Sequence, residues 1–131
     1  MSISIDWQAA SGASACRIQT GDAEWFADVG RNFGGSGAHP DPHDLLDSAL
    51  GACTVLTLEL YAKRRGYALQ GVRVEITHTE ADGVYRLHKH IQLEGDLDEA
   101  AREDLLRVAA KCPIHKALLG QFAIESEPVA S

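Results

Sequence analysis

Cys53 and Cys112 are the two residues of this chain best suited to nucleophilic or redox chemistry. Cys53 lies in a long apolar segment predicted to be helical, where a free cysteine is more often a packing residue than a reactive one. Cys112 precedes Pro113, and because proline favours the first position of a helix, Cys112 is predicted to be an N-cap. Backbone N–H groups at such a position favour the thiolate. The pair therefore indicates thiol chemistry, with Cys112 the readier thiolate on local grounds.

His115, three residues after the second cysteine, could have any of three roles. Its ring could donate to a thiolate, bind a metal or face solvent, and we expect it to face solvent. A zinc site would need both cysteines, His115 and one of His39 or His43. The ligand types suit zinc, but no paired ligand spacing supports such a site. We therefore expect neither a metal nor a cofactor.

The segments that position these residues begin with strands. Three short segments are predicted to pair as an antiparallel meander: residues 3–10, 14–20 and 23–29. A glycine-rich stretch over 30–40 follows, and a helix is then predicted over 42–65. Asp41 is its expected N-cap, and Gly66 its expected end.

The second half of the chain is predicted to contain a hairpin with one wet face, two helices and a last strand: residues 71–80, 84–95, 99–111, 113–119 and 122–127. Strands are thus clustered rather than alternating singly with helices. This order predicts an α+β fold with largely antiparallel sheets. The 131 residues fit one compact domain over 1–131.

Charge and composition narrow the class of partner. The net charge of −7 argues against a nucleic acid or an anionic membrane surface. The chain does not begin like a signal peptide, and Asp47 and Glu59 interrupt its most apolar run, so we expect no membrane span and a cytoplasmic protein. Three cysteines do not form a secreted disulfide framework, and Cys16 is interpreted as a packing residue.

The segment over 42–65 has apolar or small side chains on every face of its middle. A helix without a polar stripe belongs inside a core. One small domain has little surface with which to surround it, so we expect a homodimer in which two such helices share a core.

Three motifs together resemble the OsmC/Ohr family: DPHDLL at 41–46, ALGACT at 49–54 and KCPIHK at 111–116. The resemblance covers nearly the whole chain and agrees with the predicted order of elements. It implies an intertwined dimer of mostly antiparallel sheets around long central helices, with active sites at the interface. It also implies a thiol-dependent peroxidase that reduces organic and fatty-acid hydroperoxides and is reduced by a dithiol donor such as a lipoyl protein.

The resemblance assigns the two cysteines different roles. Cys53 would be the peroxidatic thiol that becomes a sulfenic acid, and Cys112 the resolving thiol that closes an intramolecular disulfide. This assignment reverses the local expectation that Cys112 is the readier thiolate. A buried attacking thiol has its pKa raised unless a cation is brought to it.

In the peroxidases of this family that cation is an arginine, held by a glutamate near the start of the central helix. The corresponding position here is His43, and Asp44 follows it. Arg31, in the glycine-rich stretch, and Arg17 are the candidates for the cation. We prefer Arg31, because a loop that enters a helix can place a side chain over that helix.

Because His43 stands where the peroxidases of the family have glutamate, a second class of function stays open. The chain would then be a non-catalytic protein of OsmC fold that binds an apolar small molecule in the cavity at the dimer interface. Changing His43 to Glu should raise peroxidase turnover if only the group that holds the arginine was lost. The same change should leave a pure binding protein unaffected.

Overall fold

The computed structural model describes residues 2–129. In this range the elements are β1 (Ser4–Asp6), β2 (Cys16–Thr20), β3 (Ala23–Ala27), α1 (Pro42–Arg65), β4 (Ala68–Ala81), β5 (Val84–Asp96), α2 (Glu99–Val108) and α3 (Pro113–Leu119). Residue contacts group the chain into two compact units, the first ending at Ser48 and the second beginning at Ala49. The single domain over 1–131 stays a prediction.

The first unit contains the predicted meander. Strand β2 pairs antiparallel with both β1 and β3, so the strand order is β1-β2-β3. Strand alternation turns Ile18 of β2 inward, where it is buried, as is Ala27 at the end of β3. This confirms the sequence prediction of three antiparallel strands.

A buried carboxylate, Asp28, organises the chain after β3. It accepts hydrogen bonds from the Ser14 hydroxyl at 2.6 Å, the Val29 amide at 2.8 Å and the Ser36 amide at 3.2 Å. The bond from Ser14 and the other donors hold the pKa of Asp28 below its ordinary value, although burial acts in the opposite direction. Asp28 thus ties the glycine-rich stretch to the sheet.

Helix α1 has the predicted bounds. At its start the Asp44 amide donates to Asp41 Oδ1 at 2.9 Å and the Asp41 amide donates to Asp44 Oδ2 at 3.1 Å. These reciprocal bonds form a capping box in which Asp takes the place of the usual Glu. At its end Gly66 adopts a left-handed conformation with φ of 70°, which favours glycine.

One face of α1 is buried within this chain, and much of the rest is exposed. The buried residues recur every three or four positions: Leu50, Gly51, Thr54, Leu58 and Ala62. Leu56 and Leu60 lie outside this stripe and are 55% and 59% exposed. With 24 residues and a mean hydropathy of 1.3 over its most apolar window, α1 could cross a membrane by length and composition alone. A core helix has the same properties, so they are weak evidence for a span.

The second unit contains the predicted hairpin. Strands β4 and β5 pair antiparallel along their length, and the chain turns at Asp82 and Gly83, both at positive φ. Every second residue of β5 is partly buried and the residues between are exposed. Lys89 occupies one of the inward positions, between the exposed residues His88 and His90.

Helix α2 packs with α1 to form the core of the second unit. The Asp98 carboxylate caps α2 by accepting a hydrogen bond from the Ala101 amide at 2.8 Å. The buried core residues come from α1, α2 and the short 3₁₀ turn after α2: Leu58, Ala62, Leu105, Val108 and Ala109. That turn, Ala109–Lys111, leads directly to Cys112 and α3.

The predicted last strand is wrong. Residues 122–127, which the structure describes, form no strand, and Phe122 and Ile124 are 65% and 87% exposed. A strand persists only where a second strand pairs with its backbone. The apolar alternation of this segment therefore does not suffice to make a strand.

Candidate functional site

Cys112 is the N-cap of α3, as predicted. Its sulfur accepts a hydrogen bond from the His115 backbone amide at 3.2 Å, and Pro113 occupies the first turn of the helix. Cys112 has extended backbone angles, as an N-cap residue must. Its side chain is fully buried. The sulfur is thus held against the start of α3 rather than exposed to solvent.

Two neighbouring residues of α1 reach this sulfur. The hydroxyl oxygen of Thr54, which is fully buried, lies 3.7 Å from Cys112 Sγ and also donates to the Leu50 carbonyl at 2.8 Å. Cys53 is the residue before Thr54, and its side chain is near enough to Cys112 to act on the thiol pKa. Both cysteines are free thiols and Cys53 is partly exposed. The fold therefore brings together the two cysteines that the sequence singled out.

These contacts act on the charge of Cys112. Burial raises the pKa of its thiol, but the hydrogen bond from the His115 amide lowers it, as do the neighbouring Thr54 and Cys53 side chains and the positive charge of Lys89. The net result is a pKa below the ordinary value for cysteine. This direction agrees with the expectation that Cys112 favours the thiolate.

Lys89 is the cation that the structure places beside the cysteines. Its ammonium group donates a hydrogen bond to the Ala109 carbonyl at 2.7 Å. Burial lowers the pKa of Lys89, while the nearby charges of Cys112 and Cys53 raise it in part. We call Cys53, Thr54, Lys89, Cys112 and the His115 amide the thiol cluster.

The ring of His115 does not face solvent as expected. Its Nδ1 atom is buried without a hydrogen-bond partner. Burial lowers the pKa of His115, and the charge of Lys89 lowers it further, so the neutral ring is favoured. It is the backbone amide of His115, and not its ring, that contacts the Cys112 sulfur.

A mostly apolar cavity adjoins the thiol cluster, because Lys89 and His115 belong to both. Its volume is about 170 Å³. Its lining comes from α1, β5 and α3: Leu50, Tyr85, Leu87, Lys89, His115, Leu118 and Leu119. A cavity with an apolar body and a few polar groups is typical of a small-molecule site.

The other predicted site residues lie in the first unit. The Asp44 carboxylate accepts the Asp41 amide within the capping box, and His43 is exposed in the first turn of α1. The guanidinium of Arg31 lies against Gly37, so close that a β-carbon at Gly37 would be 2.2 Å from Arg31 Nε. The roles of Arg31, His43 and Asp44 in thiol chemistry stay predictions.

Arg17, the second candidate for the activating cation, is engaged within the three-stranded sheet. Its guanidinium lies 3.2 Å from the Asp6 carboxylate and 3.7 Å from the Glu24 carboxylate. Two carboxylates therefore already balance its charge.

No group of three or more His, Cys, Asp or Glu side chains within residues 2–129 is placed to hold a metal ion. The two cysteines are accompanied by a lysine and a threonine instead, and neither of these is among the usual protein ligands of zinc.

Sequence reasoning missed Lys89. The signal was present in β5, where Tyr85, Leu87, Lys89 and Ile91 share the inward register. A lysine in an otherwise apolar register is a buried or half-buried charge, which needs a partner. The partners, however, come from α1 and from the start of α3, and no spacing along the chain reveals them.

The fold is shared with solved structures of low sequence identity. An OsmC-like protein from Mycoplasma pneumoniae superposes with a TM-score of 0.74 at 19% identity, covering 91% of this chain and 86% of that one. An organic hydroperoxide resistance protein OsmC from Legionella pneumophila superposes with a TM-score of 0.64 at 21% sequence identity, covering 90% of this chain and 88% of that one. OhrB, the organic hydroperoxide resistance protein of Bacillus subtilis, superposes with a TM-score of 0.60 at 20% sequence identity, covering 91% of this chain and 90% of that one.

At the level of sequence, no curated protein matches this chain significantly. The family of OsmC-like proteins does match, over residues 34–127. This range contains both cysteines and all three motifs on which the resemblance was based. With its α+β arrangement of antiparallel sheets and three helices, the chain belongs to the OsmC family and has an OsmC/Ohr-like fold.

Proposed function

We propose that this chain is a thiol-dependent peroxidase that reduces organic hydroperoxides, with Cys53 as the peroxidatic thiol and Cys112 as the resolving thiol. Family membership supports the proposal, since relatives of the same fold from Legionella pneumophila and Bacillus subtilis are named organic hydroperoxide resistance proteins. Those names describe the relatives, and the activity of this chain is our inference.

The observation that carries the proposal is the approach of the two thiols. Thr54, the residue after Cys53 in the middle of α1, lies 3.7 Å from Cys112 Sγ, and the Cys53 side chain itself is near enough to act on the pKa of Cys112. A disulfide forms only between cysteines whose backbones are already close. A packing role for each cysteine separately would not require them to meet.

The chemistry would proceed in two balanced steps. The Cys53 thiolate attacks the outer oxygen of the hydroperoxide, the O–O bond breaks, and the alkoxide leaves and takes up a proton to become the alcohol. Cys53 is then a sulfenic acid. The Cys112 thiolate attacks its sulfur, the S–O bond breaks, and hydroxide leaves as water after protonation, which forms the disulfide. A dithiol donor, such as a lipoyl protein, would return both thiols by exchange and itself become a disulfide.

The apolar cavity beside the thiol cluster favours an organic peroxide over hydrogen peroxide. Leu50, Leu87 and Leu118 contribute apolar surface to it. Burial of an alkyl chain there stabilises the complex by about 0.8 kcal/mol per CH₂ group. Hydrogen peroxide has no such group to bury.

We further propose that the protein works as a homodimer in the cytoplasm. The support is the exposed apolar surface of α1, including Leu56 and Leu60, which a partner helix could cover. Phe122 and Ile124 are further apolar side chains that are exposed in this chain. Burial of these residues in a dimer would remove them from water.

The alternative function is the binding of an apolar small molecule without peroxidase chemistry. The cavity is the observation that favours it, since an apolar volume of this kind can hold a ligand whether or not the thiols react. The two functions differ in whether Cys53 is consumed by a peroxide.

The test adds one equivalent of cumene hydroperoxide to the reduced protein and follows free thiols by mass spectrometry. We expect rapid loss of two thiols with a Cys53–Cys112 disulfide. Cys53→Ser should abolish the reaction, and Cys112→Ser should leave a sulfenic acid at Cys53 that dimedone traps. Cys16→Ser is the matched control and should react normally. A slow response that does not depend on Cys53 would contradict the peroxidase and favour the binding protein.

A further inference from the structure

We propose that Lys89 supplies the positive charge for the thiol pair, the role that the family resemblance gives to an arginine. The inference deepens the proposed function and depends on it for its biological meaning. It assigns to one named residue of β5 the task of holding the negative charge of the two cysteines.

The geometry around Lys89 supports this assignment. The ammonium group is anchored to the Ala109 carbonyl at 2.7 Å, in the 3₁₀ turn that leads into Cys112. The ammonium group therefore lies beside the backbone segment that leads into Cys112. A lysine held by a backbone acceptor cannot turn away to solvent without losing that bond.

The position in the sheet adds a second argument. Lys89 takes an inward position of β5, opposite Ile76 of β4, where the neighbouring inward residues are apolar. A charged group in such a register is costly unless an opposite charge approaches it. Within the second unit, the titratable groups that interact with Lys89 are Cys53 of α1, Cys112 at the cap of α3 and His115 of α3. His115 favours the neutral form, so the cysteines are left to provide the negative charge.

One lysine can serve both thiols because both cysteines interact with its charge. Cys53 and Cys112 are neighbours that both interact with Lys89, so the negative charge can be treated as belonging to the pair. Lys89 keeps its interaction with the pair whichever sulfur carries the negative charge. Attack by Cys53 and later attack by Cys112 would then use the same countercharge.

The two arginines proposed from sequence compare unfavourably with Lys89. Arg17 is paired with Asp6 and Glu24, and Arg31 packs against Gly37 of its own loop. Lys89, by contrast, interacts with both cysteines.

The experiment measures the pH dependence of thiolate absorbance in the ultraviolet, on protein carrying Cys16→Ser. The trace of a variant that also lacks Cys53 and Cys112 is subtracted to remove the tyrosine contribution. Because this readout needs no peroxide, it stands even if cumene hydroperoxide proves not to be a substrate. Failure of the proposed function and failure of this inference are therefore distinguishable.

We expect Lys89→Met to move the thiolate midpoint to higher pH and to reduce the thiolate population at neutral pH about tenfold. Alkylation of Cys53 by iodoacetamide should slow by only about threefold, since a thiolate of higher pKa is the better nucleophile. Lys89→Gln removes the charge but retains a hydrogen-bond donor for Ala109, and should behave like Lys89→Met. Lys89→Arg should restore most of the effect.

Lys111→Met is the matched control, because it removes an exposed positive charge next to Cys112 in the sequence. It should leave the midpoint unchanged, and so should Arg31→Met. An unchanged midpoint in Lys89→Gln would overturn the proposal, because the effect of Lys89→Met would then come from packing. A midpoint that follows Arg31 in place of Lys89 would overturn it as well.

Discussion

The second unit contains two clusters in which hydrogen bonds favour the charged form of an acid, the thiol cluster and a cluster around Asp104. The Asp104 carboxylate accepts the Tyr67 hydroxyl at 2.6 Å and the Tyr61 hydroxyl at 2.8 Å, and it pairs with Arg107. The bonds from Tyr67 and Tyr61, together with Arg107, hold the pKa of Asp104 below its ordinary value, although burial opposes them. We call these four residues the Asp104 cluster.

The same physics has different consequences in the two clusters. An aspartate with an ordinary pKa of 3.8 is charged at neutral pH in any case, so lowering its pKa changes stability but not its charge there. A cysteine with an ordinary pKa of 9.0 is mostly neutral at that pH, so lowering its pKa changes the species that is present. Hydrogen bonds to an acid therefore bear on reactivity when its ordinary pKa lies above neutral.

The largest expected effect tests whether the two clusters depend on one core. Leu58 is a fully buried residue of α1. It lies one turn after Thr54 of the thiol cluster and one turn before Ala62, which is next to Tyr61 of the Asp104 cluster. Leu58→Ala should lower the free energy of unfolding by about 3 kcal/mol, through lost transfer free energy and a residual cavity. Urea denaturation measures the change. Leu56→Ala, on the exposed face, is the control, and an equal loss there would show that α1 is buried by a partner.

The next prediction concerns a substitution that should change the thiol cluster and leave the Asp104 cluster unchanged. Thr54→Val keeps the shape of the buried side chain but removes its hydroxyl from Cys112 and from the Leu50 carbonyl. We expect a stability loss of about 1 kcal/mol and a rise in the pKa of Cys112, because the variant has no hydroxyl proton that could turn from the Leu50 carbonyl to the thiolate. Thiolate absorbance against pH measures the second effect. If the thiolate midpoint does not move, Thr54 only supports the helix.

A smaller effect is expected in the Asp104 cluster. Tyr67→Phe removes the shorter of the two tyrosine bonds to Asp104, so its carboxylate is less stabilised in the folded state. Because the depressed pKa of Asp104 stabilises the fold above pH 3.8 and this contribution is lost as pH falls below it, the variant should show a weaker loss of stability with acid. Thermal unfolding at neutral and acidic pH measures it, with a midpoint lower by a few degrees at neutral pH. The thiolate midpoint should not change, and a change there would contradict the separation of the two clusters.

The smallest effect concerns His115. Its pKa in the fold lies below the ordinary 6.5, mainly because of burial, so the unfolded chain binds more protons in that region. Stability should therefore be full above pH 6.5 and should fall as pH drops below it. His115→Gln should flatten this dependence without a large change at pH 8, as chemical denaturation at both values would measure. His43→Gln, at an exposed position, serves for comparison, and equal flattening there would contradict the role of His115.

Local patterns of the sequence determined most of the elements. The bounds of α1 follow from Asp41 and Gly66, and the hairpin from Asp82 and Gly83, because capping and turn formation depend on residues that are neighbours in the chain. The N-cap role of Cys112 belongs to the same class of inference. The three motifs together also sufficed to identify the family, which the match over residues 34–127 bears out.

Only the tertiary structure decided how the thiol site is built. Lys89, Cys53 and Cys112 come from β5, α1 and the cap of α3, and what brings them together is packing between elements, which no periodicity encodes. The burial of the His115 ring was decided in the same way. The segment 122–127 shows the converse, since its strand-like pattern has no strand to pair with among residues 2–129. Sequence spacing specifies what each element is, whereas side chains from distant elements specify what surrounds a reactive atom.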